Sequence, residues 1–419
     1  MSTNTFDIRI MAQQAKLASR QVAQLNTEQK NALLKSMAEQ ITANEASILS
    51  ANALDIQAGQ EKGLSDAMLD RLKLNAQRIE DIANAILEII ALADPVGHIA
   101  NMIVRPNGMQ VGKMSIPLGV ISMIYEARPN VTAEAAALCL KAGNVVVLRG
   151  GSEALNSNLA IASCLHQALE QHNINAAAVS VVPDPSRQVI ETLLTLRDDI
   201  DLVIPRGGEG LIRYVTEHSQ IPVIQHFKGV CHLFIDKYAD LEKATNILVN
   251  GKTQRPSACN AIETLLVHQH IAEQFLPLAQ KALAVAKVKI HACPLSQPYF
   301  DDAELATEAD YHAEYLAQEI AIKVVPSYQA AVDHINDFTS DHTEVIVSQD
   351  TSRTQRFIRE INSSVVMVNA SSRFSDGGQL GLGSEIGIST SKLHAYGPMG
   401  LQSLTTEKFV VLGDGQIRE

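Results

Sequence analysis

Apolar residues recur at spacings of three and four along residues 8–92, with polar stretches between the periodic segments. Two sets show the pattern: Leu33, Leu34, Met37 and Ile41, and further on Ile79, Ile82, Ile86 and Ile89. Side chains at this spacing share one face of an α-helix, so they can pack together while the opposite face meets water. The pattern therefore predicts a series of amphipathic helices.

The pattern then changes to two short strand-like runs within residues 101–115. They flank Pro106-Asn-Gly108, and an Asn-Gly pair is a strong signal for a hairpin turn. Because an isolated hairpin is only marginally stable, we expect this ribbon to pack on something else, such as another subunit. The tail segment Glu407-Lys-Phe-Val-Val-Leu412 predicts one more strand, which could pair with the ribbon.

From Gly119 onward, compact apolar runs alternate with helical patterns. The predicted strands are 119–124, 145–148, 178–182, 202–204 and 222–224 in a first series, and 232–236, 263–267, 319–325, 344–347 and 364–368 in a second. Between them, Thr132 is expected as an N-cap, Gly143 as a helix stop and Ser152 as the start of a long helix. This alternation predicts two doubly wound α/β domains, in which ligands bind beyond the carboxyl ends of the strands.

Composition narrows the class of protein. The chain has 419 residues, of which 46% are hydrophobic and 19% charged, as in a soluble globular protein of two or three domains. A net charge of −12 argues against nucleic-acid binding, which needs a basic face. The sequence shows no signal peptide, no membrane-spanning run and no CxxC pair among its five cysteines. We therefore expect a cytoplasmic protein with no membrane partner.

Two glycine-containing turns each follow a predicted strand and precede a helix. In Arg206-Gly-Gly-Glu-Gly210, Gly207 and Gly208 would let the backbone approach a phosphate, which helix N-terminal amides can hold. In the other turn, Arg149 could meet an adenosine phosphate and Ser152 could cap the following helix. A plain strand-to-helix turn, or a surface arginine beside an N-cap, is the alternative for each.

Cys259 stands between Pro256-Ser-Ala and Asn260, directly before an apolar strand. A partly ionised cysteine is the best natural nucleophile near neutral pH. Lys252 and Arg255 are close enough in sequence to lower its pKa. The alternative is a quiet core residue, which is the interpretation we give to the other four cysteines.

A polar, glycine-rich loop at residues 369–378 directly follows an apolar strand, where binding loops often lie. Its Arg373 is suited to clamp a carboxylate, although a flexible surface turn can have the same composition. His268-Gln-His270 has metal-like spacing, but no carboxylate or cysteine ligand stands nearby, so we expect no metal site.

Several long motifs occur in one order along essentially the full chain. They are Ile116-Pro-Leu-Gly-Val120, Tyr125-Glu-Ala-Arg-Pro-Asn-Val-Thr132, Val147-Leu-Arg-Gly-Gly-Ser-Glu-Ala154, Leu202-Val-Ile-Pro-Arg-Gly-Gly208, Gly229-Val-Cys-His232, Thr253-Gln-Arg-Pro-Ser-Ala-Cys-Asn260, Asn369-Ala-Ser-Ser-Arg-Phe-Ser-Asp-Gly-Gly378 and Ser391-Lys-Leu-His-Ala-Tyr-Gly-Pro-Met-Gly400. Together they resemble the gamma-glutamyl phosphate reductases, within the aldehyde dehydrogenase superfamily. Phe338-Thr339 departs from the family's usual His or Tyr followed by Gly or Ser, so no role is assigned to those two positions.

This resemblance implies an aldehyde dehydrogenase-like fold with a cofactor-binding domain at 1–98 and 117–228 and a catalytic domain at 229–390. Residues 99–116 and 391–419 would form the oligomerisation ribbon and tail of a homo-oligomer. It also implies NADPH-dependent reduction of L-glutamate 5-phosphate to L-glutamate 5-semialdehyde and phosphate in proline biosynthesis. A transient contact with glutamate 5-kinase would deliver the unstable substrate.

The same resemblance assigns roles near the reacting carbon. Cys259 would attack the acyl phosphate and carry a thioester that is then reduced. Asn130 and the backbone N–H of Cys259 would stabilise the oxyanion. Arg255, Arg128 and Arg373 are the candidates for the anionic groups of the substrate.

Arg149 and Ser152 would lie near the adenosine ribose. Ser152 replaces a glutamate that binds ribose hydroxyls in NAD-using relatives, which favours NADPH, whereas a one-residue shift would place Glu153 there. Hydrolytic relatives carry a water-activating glutamate, and the corresponding segment 224–231 has none, which favours a reductase. A hydrolytic aldehyde dehydrogenase and a silent scaffold protein remain the alternatives; the Cys259–Asn130 pair argues against the scaffold.

Overall fold

The computed structural model describes residues 6–418. Residues 1–5, on which the expected lack of a signal peptide partly rests, lie outside the described range. The α-helices of that range are α1 Ile8–Val22, α2 Thr27–Ala43, α3 Glu45–Glu61, α4 Asp66–Leu72, α5 Ala76–Ala91, α6 Pro129–Lys141, α7 Leu155–Gln171, α8 Arg187–Leu193, α9 Glu209–His218, α10 Leu241–Thr253, α11 Gln269–Val285, α12 Glu308–Tyr311, α13 Tyr328–Phe338 and α14 Thr351–Glu360.

The strands complete the set of elements. They are β1 Ile99–Val104, β2 Gln110–Pro117, β3 Val120–Tyr125, β4 Val145–Arg149, β5 Val179–Val181, β6 Leu202–Arg206, β7 Cys231–Ile235, β8 Ile262–His268, β9 Lys289–Ala292, β10 Glu304–Leu305, β11 Glu319–Val325, β12 Thr343–Val347, β13 Val365–Val368, β14 Gly387–Ser389, β15 Gly397–Met399 and β16 Thr405–Leu412.

The helices α1–α5 confirm the periodic pattern at the start of the chain. Both sets of apolar residues that define the pattern are buried, in α2 and α5. Asn26 begins α2 with a reciprocal capping box, in which its side chain accepts from the Gln29 N–H and Gln29 bonds back to it. The helices thus start at the polar residues that separate the apolar repeats, and their buried faces join the first hydrophobic core.

Two parallel sheets carry the fold, which confirms the predicted α/β class. The first has the strand order β5-β4-β3-β6 and the second has the order β10-β9-β11-β8-β7-β12-β13. All pairings within these two sheets are parallel. In the first sheet the order reverses between β3 and β6, so the loops after those strands meet at a topological switch point, where ligands bind in such sheets.

The sequence predicted a strand at residues 222–224, but the structure has only a single β-bridge there, between Val203 and Val223.

Thr132 was expected to be the N-cap of α6, but α6 starts at Pro129. The Thr132 hydroxyl is buried instead and is hydrogen-bonded to Tyr125 and Asn158. Gly143 does end that helix, with a positive φ of 78° that suits glycine.

The early ribbon and the tail form one antiparallel sheet of order β1-β2-β16. The predicted turn contains Gly108 with φ +87°, and β16 pairs with β2 along its whole length, which confirms the proposed pairing of the tail. Large apolar side chains stay exposed on this sheet, among them Ile103, Val104 and Phe409.

The segment after β13 returns to the first core. Ile386, Ala395, Met399 and Leu401 pack with the helices and strands of the first sheet rather than with the second. This return brings the loop after β13 and the switch point of the first sheet to the same region. No helix of the described chain is long and apolar enough to cross a membrane.

Candidate active site

Cys259 lies in a turn between α10 and β8. It is partly buried, whereas the other cysteines are fully buried, as their apolar surroundings predict. Gly229, just before β7, packs against the backbone of this turn. A Cβ at position 229 would lie 2.7 Å from the carbonyl carbon of Cys259 and closer still to its oxygen. A glycine is therefore required where the two segments meet.

Burial and two carboxylates keep the thiol of Cys259 protonated at neutral pH. Burial is the largest effect, and with the charges of Glu314 and Glu385 it raises the pKa of Cys259 to about 11. Arg206 opposes them and lowers this pKa. A thiol in this setting needs either a base or a stronger local positive charge before it can act as a nucleophile.

The predicted activation of the thiol by Lys252 is wrong. Lys252 forms an ion pair of 2.6 Å with Glu263, and both side chains are fully buried. Its charge is therefore neutralised away from the sulfur. The positive charge that acts on Cys259 comes instead from Arg206, at the end of β6 in the first sheet.

Four arginines converge on this region from separate parts of the chain: Arg128 before α6, Arg206, Arg255 in the Cys259 turn, and Arg373 after β13. After burial, the charges of Arg206 and Arg255 lower the pKa of Arg128, and Arg255 lowers that of Arg373. None of the four has a carboxylate within 4.0 Å in the described part of the chain. Such a cluster of unpaired guanidinium groups suits an anionic ligand.

The three arginines named from the sequence thus come together, and Arg206 joins them. Sequence reasoning singled out Arg206 only as the first residue of a glycine turn. Arg373 also shows how the loop after β13 reaches the site, because its Nε donates to Gln254 Oε1 at 2.8 Å beside the Cys259 turn.

Asn130 lies in the first turn of α6, two residues after Arg128. Its side-chain amide donates to Glu134 Oε1 at 3.0 Å. Burial raises the pKa of Glu134, whereas this hydrogen bond and the charges of Arg206 and Arg128 lower it. The charge of Arg206 therefore reaches both Glu134 and Cys259, although the Asn130 amide is turned toward Glu134.

Glu314 and Glu385 are site residues that sequence reasoning missed. Glu314 Oε1 accepts from the Gly229 N–H at 2.8 Å, and Glu385 Oε2 accepts from the Gly377 N–H at 2.9 Å. Burial is the main reason that the pKa of each carboxyl is raised. Glu385 closes a glycine-rich stretch visible in the sequence, but nothing around Glu314 signals its role, because the loop before β11 brings it in from far along the chain.

Arg149 ends β4 beside the expected cofactor position. One of its terminal nitrogens donates to the carbonyl oxygen of Pro185, and its buried Nε–H has no partner among the described residues. Glu153 and Asp184 are near enough to raise the pKa of Arg149, although burial lowers it more. A cation with an unused donor fits a phosphate group.

Ser152 does not cap α7 as expected. It begins a short 3₁₀ turn, Ser152–Ala154, and its side chain is exposed. Glu153, the alternative ribose ligand, is committed elsewhere, because its Oε1 accepts from the Ala127 N–H at 2.6 Å. The carboxylate next to Arg149 is therefore turned inward to the loop after β3.

The glycine turn after β6 holds a protein carboxylate. The Gly208 N–H donates to Glu126 Oε2 at 3.0 Å, and a Cβ on Gly207 would lie 2.7 Å from the same carboxyl group. Glu126 thus lies at the N-terminus of α9, where an anion is favoured. A phosphate could reach the Gly208 N–H only after Glu126 moves away.

Among residues 6–418, no group of three or more His, Cys, Asp or Glu side chains could hold a metal ion. His268 has a structural role instead. Its Nδ1 accepts from the His270 N–H at 3.2 Å and caps α11.

Comparison with known proteins gives consistent matches along the chain. Residues 2–297 match the aldehyde dehydrogenase family. The chain is 70% identical over 415 residues to the gamma-glutamyl phosphate reductase of Colwellia psychrerythraea, covering 99% of each chain. It is 58% identical to that of Idiomarina loihiensis, with 98% of each chain covered.

Solved structures agree. The crystal structure of gamma-glutamyl phosphate reductase from Thermotoga maritima superposes with a TM-score of 0.97 at 42% identity, covering 99% of this chain and 100% of that one. An engineered glycolyl-CoA reductase with bound NADP+ has a TM-score of 0.67 at 16% identity over 97% of each chain, a likeness of fold alone.

Proposed function

Because the chain belongs to the gamma-glutamyl phosphate reductases of the aldehyde dehydrogenase family, we propose that it reduces L-glutamate 5-phosphate with NADPH through a thioester on Cys259. The products are L-glutamate 5-semialdehyde and phosphate. An oxidoreductase of proline biosynthesis is the broader class that the relatives establish. The observation that carries the finer proposal is the partly buried Cys259 among four arginines that have no carboxylate partner within residues 6–418.

The substrate explains why so many cations are needed. An acyl phosphate of glutamate carries a phosphate and an α-carboxylate, and each can take a guanidinium in a forked, two-point contact. Arg128, Arg255 and Arg373 are our candidates for these anionic groups, together with Arg206. Binding of the anion also brings substrate to the thiol in the orientation that attack requires.

Cys259 forms the thioester, and phosphate leaves as a stable anion. Negative charge develops on the acyl oxygen when the sulfur adds, before phosphate leaves, and again when hydride adds to the thioester. We assign its stabilisation to the Asn130 amide, which must turn from Glu134, and to the backbone N–H of Cys259. A bound nicotinamide supplies the hydride that reduces the thioester.

For the cofactor, the residues at the end of β4 fit a phosphate-bearing ribose. Arg149 has an Nε–H without a partner in the described part of the chain, Ser152 is exposed, and the Glu153 carboxylate is held by the Ala127 N–H. A carboxylate facing the ribose would repel a 2′-phosphate. Because position 152 is a serine and the Glu153 carboxylate is turned away, we favour NADPH over NADH. Gly207 and Gly208 are proposed to approach the cofactor phosphates once Glu126 has moved from the Gly208 N–H.

We further propose that the four-stranded sheet forms the cofactor-binding domain and the seven-stranded sheet the catalytic domain. The sheet β1-β2-β16 would join copies of this chain, since its exposed apolar residues would be covered by a partner. Light scattering of the purified protein tests the proposed assembly, and a monomer would refute it.

We also propose a transient contact with glutamate 5-kinase, which would shorten the path of the unstable substrate.

A hydrolytic aldehyde dehydrogenase is the second candidate, because two carboxylates lie near Cys259 even though segment 224–231 has none of its own. The reverse reaction separates the two. With 1-pyrroline-5-carboxylate and NADP+, NADPH should form only when phosphate is present. The Cys259→Ala variant should be inactive yet still bind NADPH. NADPH formation without phosphate would instead support hydrolysis and overturn the acyl phosphate proposal.

A further inference from the structure

We infer that Glu314 is the catalytic base for Cys259: its carboxylate takes the thiol proton as the thioester forms and returns it when the aldehyde leaves. The inference rests on the proposed thioester function and names a residue for a step which that function leaves unassigned. Among the described residues, Glu314 is the carboxylate whose charge acts most strongly on Cys259, and its loop is fastened to the segment that backs the nucleophile.

The loop between α12 and β11 is fastened directly to the segment that backs Cys259. Lys228 Nζ donates to the His312 carbonyl oxygen at 2.6 Å, and the Gly229 N–H donates to Glu314 Oε1 at 2.8 Å. Two adjacent residues, Lys228 and Gly229, therefore anchor the loop at His312 and at the carboxylate of Glu314. These contacts fix where the carboxylate lies.

Gly229 connects this carboxylate to the nucleophile. A Cβ on Gly229 would lie 2.9 Å from the Cys259 Cα, so the backbones of the two residues are in van der Waals contact. The same glycine donates its N–H to Glu314. One backbone unit thus touches the nucleophilic residue on one side and holds the carboxylate on the other.

Charge effects agree with this arrangement. Among the charges that raise the pKa of Cys259, that of Glu314 is the largest, ahead of Glu385. Burial also raises the pKa of Glu314 above its usual value, which makes the carboxylate a better proton acceptor. The two groups repel as anions, so near neutral pH the pair favours a state in which one of them holds a proton.

The other titratable groups around Cys259 are less suitable. Burial raises the pKa of Glu385 as it raises that of Glu314, but Glu385 is held by the Gly377 N–H and its charge acts less strongly on Cys259 than that of Glu314 does. Burial lowers the pKa of His342 to about 3, and its Nδ1 is engaged with Thr343 at 2.8 Å. Burial and then Arg206 lower the pKa of His226.

The proton and the electron pairs balance along the reaction. The thiol proton passes to Glu314 while the sulfur–carbon bond forms, and the carbon–oxygen bond to phosphate breaks with its electron pair on phosphate, which takes a proton from solvent. Hydride supplied by the nicotinamide reduces the thioester. The carbon–sulfur bond then breaks, the aldehyde leaves, and Glu314 returns its proton to the sulfur.

The test compares Glu314→Gln with wild type in two measurements. The glutamine oxygen can still accept from the Gly229 N–H, so the loop keeps its anchor. The first measurement is the rate of Cys259 alkylation by iodoacetamide across neutral and alkaline pH, followed by mass spectrometry of the Cys259 peptide. The second is the rate of the reverse reaction with 1-pyrroline-5-carboxylate, phosphate and NADP+. Glu308→Gln removes an exposed charge from nearby α12 and is the matched control.

We expect the two rates to move in opposite directions. Alkylation should become faster in Glu314→Gln, because a neighbouring anion no longer disfavours the thiolate, while turnover falls by ~10²–10³-fold for want of the base. Glu308→Gln should change neither. If both rates fall, Glu314 is only structural, and if both rise, it only perturbs the thiol electrostatically; either result overturns the inference.

Failure of the proposed function would look different. Wild type would then form NADPH without phosphate, or would form none, while the change in Cys259 alkylation would still report on the pair of Glu314 and Cys259.

If Glu314→Gln does not fold, Glu314→Asp replaces it. That variant keeps the charge and shortens the reach, so alkylation should follow the wild-type pH profile and turnover should fall. Wild-type turnover in Glu314→Asp would overturn the inference.

Discussion

Lys252 and Glu263 form a 2.6 Å ion pair in which both side chains are fully buried. Lys252 stands in the last turn of α10 and Glu263 near the start of β8, so the pair joins the two ends of the turn that carries Cys259. Burial lowers the pKa of Lys252 and raises that of Glu263 to about 7, while each partner's charge opposes the change. The pair therefore matters for holding the nucleophile in place and not for ionising it.

Breaking this pair should destabilise the protein strongly. In Lys252→Met, Glu263 would be left buried without its partner, a loss that typically costs about 3–5 kcal/mol. We expect a clearly lower temperature of unfolding, measured by calorimetry. The double variant Lys252→Met/Glu263→Leu should recover much of the loss, because no unpaired charge remains. A double variant no more stable than Lys252→Met would show that packing, not charge, sets the effect.

Gly229 should tolerate no side chain. In Gly229→Ala, the new Cβ would overlap the carbonyl group of Cys259, so the catalytic turn must shift. Because small misplacements of reacting groups are costly, we expect turnover to fall by roughly 10²-fold. Gly210→Ala is the comparison variant, since a Cβ there meets open space. Steady-state kinetics of the two variants check the prediction, and an unaffected Gly229→Ala enzyme would contradict it.

The pH dependence of Cys259 alkylation should reveal the effect of Arg206. Below its pKa of about 11, the thiolate fraction of Cys259 rises tenfold per pH unit, and the alkylation rate should rise with it. Arg206 lowers this pKa, so Arg206→Ala should raise it and slow alkylation at a given pH, by up to about tenfold if the change is one unit.

Arg213→Ala is the control for that experiment, because Arg213 is exposed and paired with Glu209 at 2.7 Å. Its alkylation profile should match wild type. A profile for Arg206→Ala that also matches wild type would show that Arg206 does not govern the thiol.

The sequence identified the residues that lie in motifs and missed those that only the fold brings together. The apolar periods of α2 and α5 and the alternation of β3, β4 and β6 with helices were sufficient to predict the α/β class. Cys259 was singled out mainly because its segment, Thr253–Asn260, matches a motif of the family that the chain resembles. Glu314 was not, since its loop sequence gives no sign that its carboxylate will accept from the N–H of Gly229, which packs against the Cys259 backbone.

Two local predictions, for Lys252 and Thr132, were wrong for different physical reasons. Lys252 was expected to act on Cys259 because the two are close in sequence, yet a helix turns side chains in different directions, and Lys252 points to Glu263. Thr132 has the right side chain for an N-cap, but Pro129 starts the helix one turn earlier. For Lys252, proximity along the chain was a poor guide to contact in three dimensions, and for Thr132 the proline that begins α6 set the helix start.

Arg149 should determine which nicotinamide cofactor is preferred. Its guanidinium lies at the end of β4 with a buried Nε–H that has no partner in residues 6–418, while the neighbouring Glu153 is held by the Ala127 N–H. The Glu153 carboxylate is therefore engaged by the backbone, and a 2′-phosphate could meet the Arg149 cation. Replacing Arg149 by Ala removes a charge-assisted interaction, which is worth about 1.5–3 kcal/mol, or roughly 10–100-fold in affinity.

We expect Arg149→Ala to raise the KM for NADPH by that factor and to leave the KM for NADH nearly unchanged, because NADH has no 2′-phosphate. Steady-state kinetics with both cofactors measure the difference. Arg187→Ala is the matched control and should alter neither KM. Arg187 is the first residue of α8, two residues after Pro185. Equal losses with NADPH and NADH in Arg149→Ala would mean that Arg149 supports the loop through the Pro185 carbonyl rather than recognising the phosphate.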